Sequence, residues 1–455
     1  MHETAAHPAV FFMPYFYLGN FSYIVSINTD NDMATTKKDS AKRKMKPESL
    51  MMSFGYKPEL SEGAVKCPIF QTSTFVFKTA EEGKSFFEVA YGKRALRPKE
   101  VTGLIYSRIN NPDLEILENR LCLWDEAEDG AVFESGMAAI STTVMELLSP
   151  GDLLVHSEPI YGGTDHFFKH ILLKFGIHSI GFMPTDSKET IIKKIKATGK
   201  ADRLAMIFIE SPANPTNDLI DMQMCVEIAK QFSTKEKKVL TAIDNTFLGP
   251  VFSHPLKQGF DLVLYSATKY IGGHSDVIAG ACVGSAALIK RIKSFRSIMG
   301  TMAGPWTGWL LLRSLETLKM RMTLQAENAK KIAVWLSKHP KVEKVYYLGL
   351  LKKTDKQYPM YIRQCLSPGA MISFDIKGGE KQAFKVLNAL KLIKLAVSLG
   401  STESLAEHPY SMTHAPVNDE LKVKMNLTEK MIRLSVGVED YEDIISDIEQ
   451  ALSKI

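Results

Sequence analysis

Asp261–Gly273 reads DLVLYSATKYIGG. The apolar run Leu262–Tyr265 predicts a short buried strand that opens into Ser266, Ala267, Thr268 and Lys269. A lysine just past such a run stands at a strand's carboxyl end, where open α/β sheets place their ligands. There it can form a Schiff base with an aldehyde, provided burial and neighbours lower its pKa. The hydroxyls of Ser266 and Thr268 suit a phosphate, and Gly272 and Gly273 would let backbone come close to a ligand. Taken alone, the stretch fits a surface lysine after a core strand equally well. Upstream, Val239–Phe247 (VLTAIDNTF) is a second apolar run, ending in Asp244. Asp244 precedes Lys269 by 25 residues, 269 − 244, about one strand–helix–strand step. An acid at a strand end is commonly a helix cap. Paired with the lysine, it matches what pyridoxal phosphate requires: an amine for the aldehyde and a carboxylate that keeps the pyridine nitrogen protonated.

The run DLVLYSATKYIGGHSDVIAGACVG resembles the lysine signature of the Cys/Met-metabolism pyridoxal-phosphate enzymes, the γ-family of fold type I. The likeness extends from about Ser53 to the C-terminus. It includes Tyr106-Ser107-Arg108, Ser135-Gly136-Met137-Ala138-Ala139, Tyr161-Gly162-Gly163-Thr164, Glu210-Ser211-Pro212-Ala213-Asn214-Pro215 and Arg433-Leu434-Ser435-Val436-Gly437. The resemblance implies an α/β fold with a mostly parallel seven-stranded sheet flanked by helices. A smaller α+β C-terminal domain and an extended N-terminal arm would complete it. It further implies pyridoxal 5'-phosphate as cofactor, with Lys269 as the catalytic amine and Asp244 facing the pyridine nitrogen.

Other roles follow from the same resemblance. The amides of Gly136 and Met137 at a helix start would hold the phosphate together with Ser266 and Thr268. Tyr106 and Arg108 would clamp it from the neighbouring subunit, which implies a dimer with shared sites and a probable pairing of dimers into a tetramer. Tyr161 would stack on the ring and exchange protons with the leaving group. Asn214 would bond the cofactor's O3′ and the substrate carboxylate. Arg433 would grip that carboxylate in a bidentate fork, with Val397 and Ser398 beside it. Arg433 also stands out on its own, because an arginine inside the apolar run Ile432–Leu434 is costly without an anionic partner.

Composition sets wider bounds. At 455 residues the chain suits two or three domains. Apolar content of 45% with 24% charged residues is that of a soluble globular protein. A net charge of +5 without an arginine-rich stripe points to no nucleic-acid partner. Cys67, Cys122, Cys225, Cys282 and Cys365 are scattered and form no CxxC, so neither a disulfide framework nor a metal site is indicated. Reduced thiols in the cytoplasm are the natural reading. Residues 1–32 carry no Lys or Arg, which fits neither a secretory nor an organellar signal, and their apolar stretches are too short to span a membrane. Translation is expected to start at Met33, with a solvated leader after it; the rival reading of residues 1–32 is a disordered or partly docked arm.

The expected organisation is a poorly ordered extension over 1–52, an arm over 53–110 that serves the neighbouring subunit, a cofactor domain over 111–318 and a C-terminal domain over 319–455. Within the arm a helix is predicted near Ala80–Tyr91, followed by a basic surface loop over 92–99. Helices are predicted at Pro112–Trp124, after Ser135 and over Pro305–Arg321. Strands are predicted at Ala131–Phe133, Leu153–His156, Leu204–Ile209, Leu240–Ile243 and Leu262–Tyr265; with helical segments between them, they imply parallel pairing.

The chemistry expected from the resemblance is that of a carbon–sulfur lyase, which eliminates the γ-substituent of methionine or a related amino acid to give 2-oxobutanoate, ammonia and a thiol. Val397 before Ser398 resembles methionine γ-lyases, whereas cystathionine-using relatives tend to have Glu there. Two departures favour the alternative of γ-replacement, as in cystathionine γ-synthase or O-acetylhomoserine sulfhydrylase. Gly163 stands where methionine γ-lyases usually have Cys, and Arg296-Ser297 replaces the Lys-Asp pair that accompanies that Cys. A catalytically inactive scaffold is the remote third reading.

Overall fold

The computed structural model describes residues 45–455 except 99, 101, 416 and 418. The expectations for residues 1–32 and Met33 lie outside the described residues. Seven strands form the large sheet: β1 (Asp129–Phe133), β2 (Leu153–Ser157), β3 (His178–Phe182), β4 (Leu204–Glu210), β5 (Leu240–Asp244), β6 (Leu262–Tyr265) and β7 (Gly280–Gly284), in the order β1-β7-β6-β5-β4-β2-β3. All neighbours run parallel except β7, which is antiparallel to both β1 and β6. The five predicted strands are present. β3 and β7 were not anticipated: β3 is only half-buried, and β7 (GACVG) is short and begins and ends in glycine.

Helices cover both faces of this sheet, so its central strands are apolar throughout. Every residue of β4 is buried. Its side chains alternate: Met206 and Phe208 pack with Phe133, Ile140 and Phe168 on one face, Ile207 and Ile209 with Leu117 and Ile243 on the other. The second core continues without a break into the C-terminal domain through Leu318, Ile332, Ile372 and Ile432. That domain contains β8 (Val342–Tyr346), β9 (Met371–Ile376), β10 (Lys394–Leu395), β11 (Leu405–Glu407) and β12 (Met431–Ser435), in the order β10-β11-β12-β9-β8. Pro305–Leu315 and Leu318–Leu336 are two consecutive helices rather than the single one expected over Pro305–Arg321. No described helix is long and apolar enough to cross a membrane.

Packing starts earlier than expected. A short helix at Pro47–Leu50 lies against the helix Pro112–Asp125, and Met51 is buried. The basic loop is also tied down: Arg94 pairs with Glu88 at 3.0 Å and with Glu100 at 2.6 Å.

The carboxyl ends of β1, β2, β4, β5 and β6 share one edge of the sheet, and the strand order brings β7's first residue to that edge. A Cβ on Gly280 would lie 2.1 Å from the carbonyl oxygen of Ser135 and 2.9 Å from Cα of Gly136. These are backbone atoms, which cannot step aside as a side-chain tip can. Gly280→Ala should therefore cost roughly 1–3 kcal/mol, the scale of overpacking a tight core site. An unchanged urea midpoint would show that the helix start tolerates the displacement.

Candidate active site

Lys269 follows β6 by four residues, in a loop whose glycines have a purpose other than the one expected. Gly273 has a φ of +70°, and a Cβ there would fall 1.9 Å from Nη1 of Arg321. The space is taken by the Arg321 guanidinium, which donates to the carbonyls of Tyr270 at 2.8 Å and Ser314 at 3.0 Å. A Cβ on Gly272 would press on Val277 at 2.8 Å. These glycines therefore admit protein atoms and fix the lysine loop; they do not open room for a ligand.

Around Lys269 the structure gathers most of the residues singled out from sequence. Its Nζ donates to the Ser398 hydroxyl at 2.9 Å. Burial, then the nearby charge of Arg433, hold its amine below the ordinary lysine value, against the pull of Glu407 and Asp244. Ser398 has a φ of +97°, an unusual conformation for a residue with a side chain. It turns the Ser398 carbonyl to Nη2 of Arg433 at 2.8 Å while the hydroxyl faces Lys269. Val397, next to it, is exposed.

Arg433, on β12, is buried, and its Nη1 donates to Oδ1 of Asn214 at 3.0 Å and pairs with Oε1 of Glu407 at 2.7 Å. The anionic partner expected from sequence is thus partly internal. Glu407 is fully buried, and its Oε1 also accepts from the Thr413 hydroxyl at 3.0 Å. Nε of Arg433 is buried without a partner. An unpaired guanidinium N–H in a cleft is the feature that an incoming carboxylate would satisfy.

Asp244 ends β5. Both the amide and the hydroxyl of Thr246 donate to its Oδ1, at 3.0 and 2.5 Å, which leaves Oδ2 for another donor. Burial raises its pKa. Across the sheet, Ser135 accepts from the amide of Ala138 at 3.0 Å and starts the helix Gly136–Leu147 as predicted. A Cβ on Gly136 would lie 3.0 Å from Cβ and 3.1 Å from Oγ of Ser266. Helix start and lysine loop thus approach as closely as only glycine permits, with the first helical amides and Ser266 side by side. Thr268 differs from expectation. Its hydroxyl donates to the Ala279 carbonyl at 3.1 Å and accepts from the Ala279 amide at 3.0 Å, so in this structure its one proton stays within the protein.

Tyr161 is half-exposed at the rim, next to Met137. Tyr106 and Arg108 are not brought to this cluster within one chain. Both are exposed; Arg108 donates to the Ser297 carbonyl at 2.5 Å and lies over the Tyr106 ring. The residues present fit pyridoxal phosphate: a low-pKa amine, an acid with one free oxygen, a glycine-lined helix start beside a serine, and an orphaned arginine N–H.

Three buried residues of the site were not read from sequence. Glu210 ends β4 beside Asp244 and accepts from the amides of Tyr161 at 2.7 Å and Asn214 at 3.1 Å. Burial, then the Asp244 charge, push it up to about 8. It carries the signal that marked Asp244, an acid closing an apolar run. Glu407 and His414 had no such signal. His414 lies with Nδ1 3.0 Å from the Thr413 hydroxyl, and burial, then Arg433, lower it to about 4. Unfolded, His414 takes up a proton near 6.5; folded, only near 4. Between those values the unfolded state binds more protons, so acid removes stability, by up to about 1.4 kcal/mol per pH unit. His414→Gln should therefore lose a few degrees less in Tm than the unmutated protein between pH 6.5 and 4.5. Equal acid slopes would show that His414 is not held neutral.

Comparison with known proteins agrees with this geometry. The family model for Cys/Met metabolism PLP-dependent enzymes matches residues 48–453. The chain is 40% identical over 395 residues to an L-methionine gamma-lyase of Fusobacterium nucleatum subsp. nucleatum, covering 86% of this chain and 94% of that one. It is 39% identical over 412 residues to a cystathionine gamma-lyase of Bacillus subtilis, covering 90% of this chain and all of that one. A solved structure of cystathionine gamma synthase from Xanthomonas oryzae pv. oryzae superposes with a TM-score of 0.79 at 32% identity, over 90% of this chain and 99% of that one. With a lysine, an acid and a phosphate-sized cradle at one sheet edge, and a family match spanning nearly every described residue, the chain belongs to the pyridoxal-phosphate-dependent enzymes of cysteine and methionine metabolism.

Proposed function

We propose that the protein is a carbon–sulfur lyase that takes methionine and water to 2-oxobutanoate, ammonia and methanethiol. The observation that carries the choice is Val397. It adjoins Ser398, whose hydroxyl and carbonyl face Lys269 and Arg433, so it stands beside the place where a substrate anchored on Arg433 would extend. An apolar side chain suits a methyl thioether and offers no anion to the distal ammonium of cystathionine. The name of the Fusobacterium relative supports the same choice.

Bound in this site, pyridoxal phosphate supplies an electron sink for the substrate's α-carbon. The protein supplies the rest. Arg433 receives the α-carboxylate through its free Nε–H, and Asn214, tied to Arg433 through Oδ1, keeps its amide N–H groups for the cofactor and substrate. Lys269, its pKa lowered by burial and then by Arg433, is the amine that would remove the α-proton. Asp244, whose Oδ1 is occupied by Thr246, would keep the pyridine nitrogen protonated. Tyr161, at the open rim, is placed to protonate the departing sulfur.

Gly163 favours the second reading, γ-replacement by a thiol. A Cβ there would lie 2.7 Å from the Tyr161 ring and 3.2 Å from Sδ of Met137, so a cysteine at 163 would require Tyr161 to shift. The substrate test identifies products from methionine, cystathionine and O-acetylhomoserine, with and without added thiol. A charge partner missing for a partly buried ammonium costs about 1–3 kcal/mol, or one to two decades. Methionine should therefore exceed cystathionine in kcat/KM, and Val397→Glu should narrow or reverse the gap. A strong preference for cystathionine that Val397→Glu leaves untouched would overturn the reading.

On the same reading the protein is a homodimer, paired into a tetramer, in which Tyr106 and Arg108 complete the neighbour's phosphate site. Their exposure, with the one hydrogen bond of the Arg108 guanidinium going to the Ser297 carbonyl, supports it. A cytoplasmic location is part of the same reading, supported by five free cysteines, four of them buried. Mixing inactive Arg108→Ala and Lys269→Ala subunits should restore part of the activity, since one site of each mixed dimer has both residues intact. Verified mixed dimers without activity would exclude the shared site.

A further inference from the structure

Glu210 is a buried acid with no salt bridge among the described residues, placed on the strand next to another buried acid. Its Cα partner across the sheet is Asp244. Such a group is costly to bury unless its hydrogen bonds are of high value. Here each oxygen accepts one backbone amide, and the two amides come from different loops: Oε2 from Tyr161 at 2.7 Å, Oε1 from Asn214 at 3.1 Å. The backbone of Glu210 is fixed in turn, since its amide donates to the Ser157 hydroxyl at the end of β2 at 3.0 Å.

We infer that Glu210 is a positioning residue for the cofactor: one carboxylate sets the separation between the Tyr161 and Asn214 loops and so the width of the slot that takes the pyridine ring. Tyr161 needs an external anchor because it opens the helix Gly162–His166 without a side-chain cap. The link continues to the substrate end, because Asn214 Oδ1 accepts from Arg433. Both oxygens of a carboxyl group, ionised or protonated, carry lone pairs that accept, whereas a carboxamide accepts only on its oxygen and would set its NH2 against the second amide N–H. Glutamine at 210 would therefore release one loop, and an apolar residue both. The inference rests on the cofactor reading and not on which amino acid is cleaved.

The test uses the full-length holoenzyme and needs no turnover. Circular dichroism of the visible cofactor band reports how firmly an asymmetric slot holds the ring. Glu210→Gln should lower that signal at least twofold while the band stays reducible by borohydride, because Lys269 is untouched. Glu210→Asp, which keeps both acceptors on a shorter arm, should recover part of the signal. A folded Glu210→Gln with the unmutated signal, or a loss confined to Tm, would overturn the inference. If neither variant folds, hydrogen exchange in the unmutated holoenzyme decides. The amides of Tyr161 and Asn214 should then be protected far beyond those of the exposed turn 234–237; equal exchange would overturn the clamp.

Discussion

The guanidinium of Arg433 joins the two domains at the place where chemistry is expected. It reaches from β12 of the small sheet to Asn214 of the large domain, to Glu407 on the neighbouring strand and to the carbonyl of Ser398. A charge this deeply buried persists only when paired and hydrogen-bonded, and removing one partner of such a pair typically costs about 3–5 kcal/mol. Its demands account for several local oddities: a fully buried glutamate, a serine in a left-handed conformation and an asparagine whose side-chain oxygen turns away from the cleft. The Nε–H, buried without a partner, marks a place for an anion.

A second constraint is set by strand order. Parallel strands deliver their ends to a common edge, so Glu210 and Asp244 arrive as neighbours, and the Asp244 charge adds to burial in raising Glu210's affinity for a proton. Burial dominates the shifts of both acids. The site therefore gathers three buried acids, Glu210, Asp244 and Glu407, with Lys269 and Arg433, and each charge depends on the others. Lys269 is deprotonated more readily because Arg433 is close, and Arg433 is tolerated because Glu407 is close.

Much of this was legible from sequence where the signal was local. Lys269 and Asp244 are polar residues at the ends of apolar runs, and Ser135 is a cap before an apolar helix; each reading needed only a few adjacent residues. Arg433 announced itself as a charge in an apolar strand. Glu210 carried the same strand-end signal as Asp244 and was passed over because no separate role pointed to it. Glu407 and His414 gave no signal, since their partners lie on other elements. Gly273 was misread because the group that fills its space, Arg321, is 48 residues away, 321 − 273.

The sequence by itself determined the five apolar strands that end at the site, the family and the identity of several reacting groups, because strand ends, caps and motifs are short-range properties of side-chain size and polarity. The tertiary structure decided which groups meet. Whether Thr268 has a free proton, whether Arg433 has a spare N–H, and which two loops Glu210 ties together are set by contacts between residues far apart in the chain. Those contacts exist only once the strand order brings five strand ends and a helix start to one edge and closes the small sheet over them.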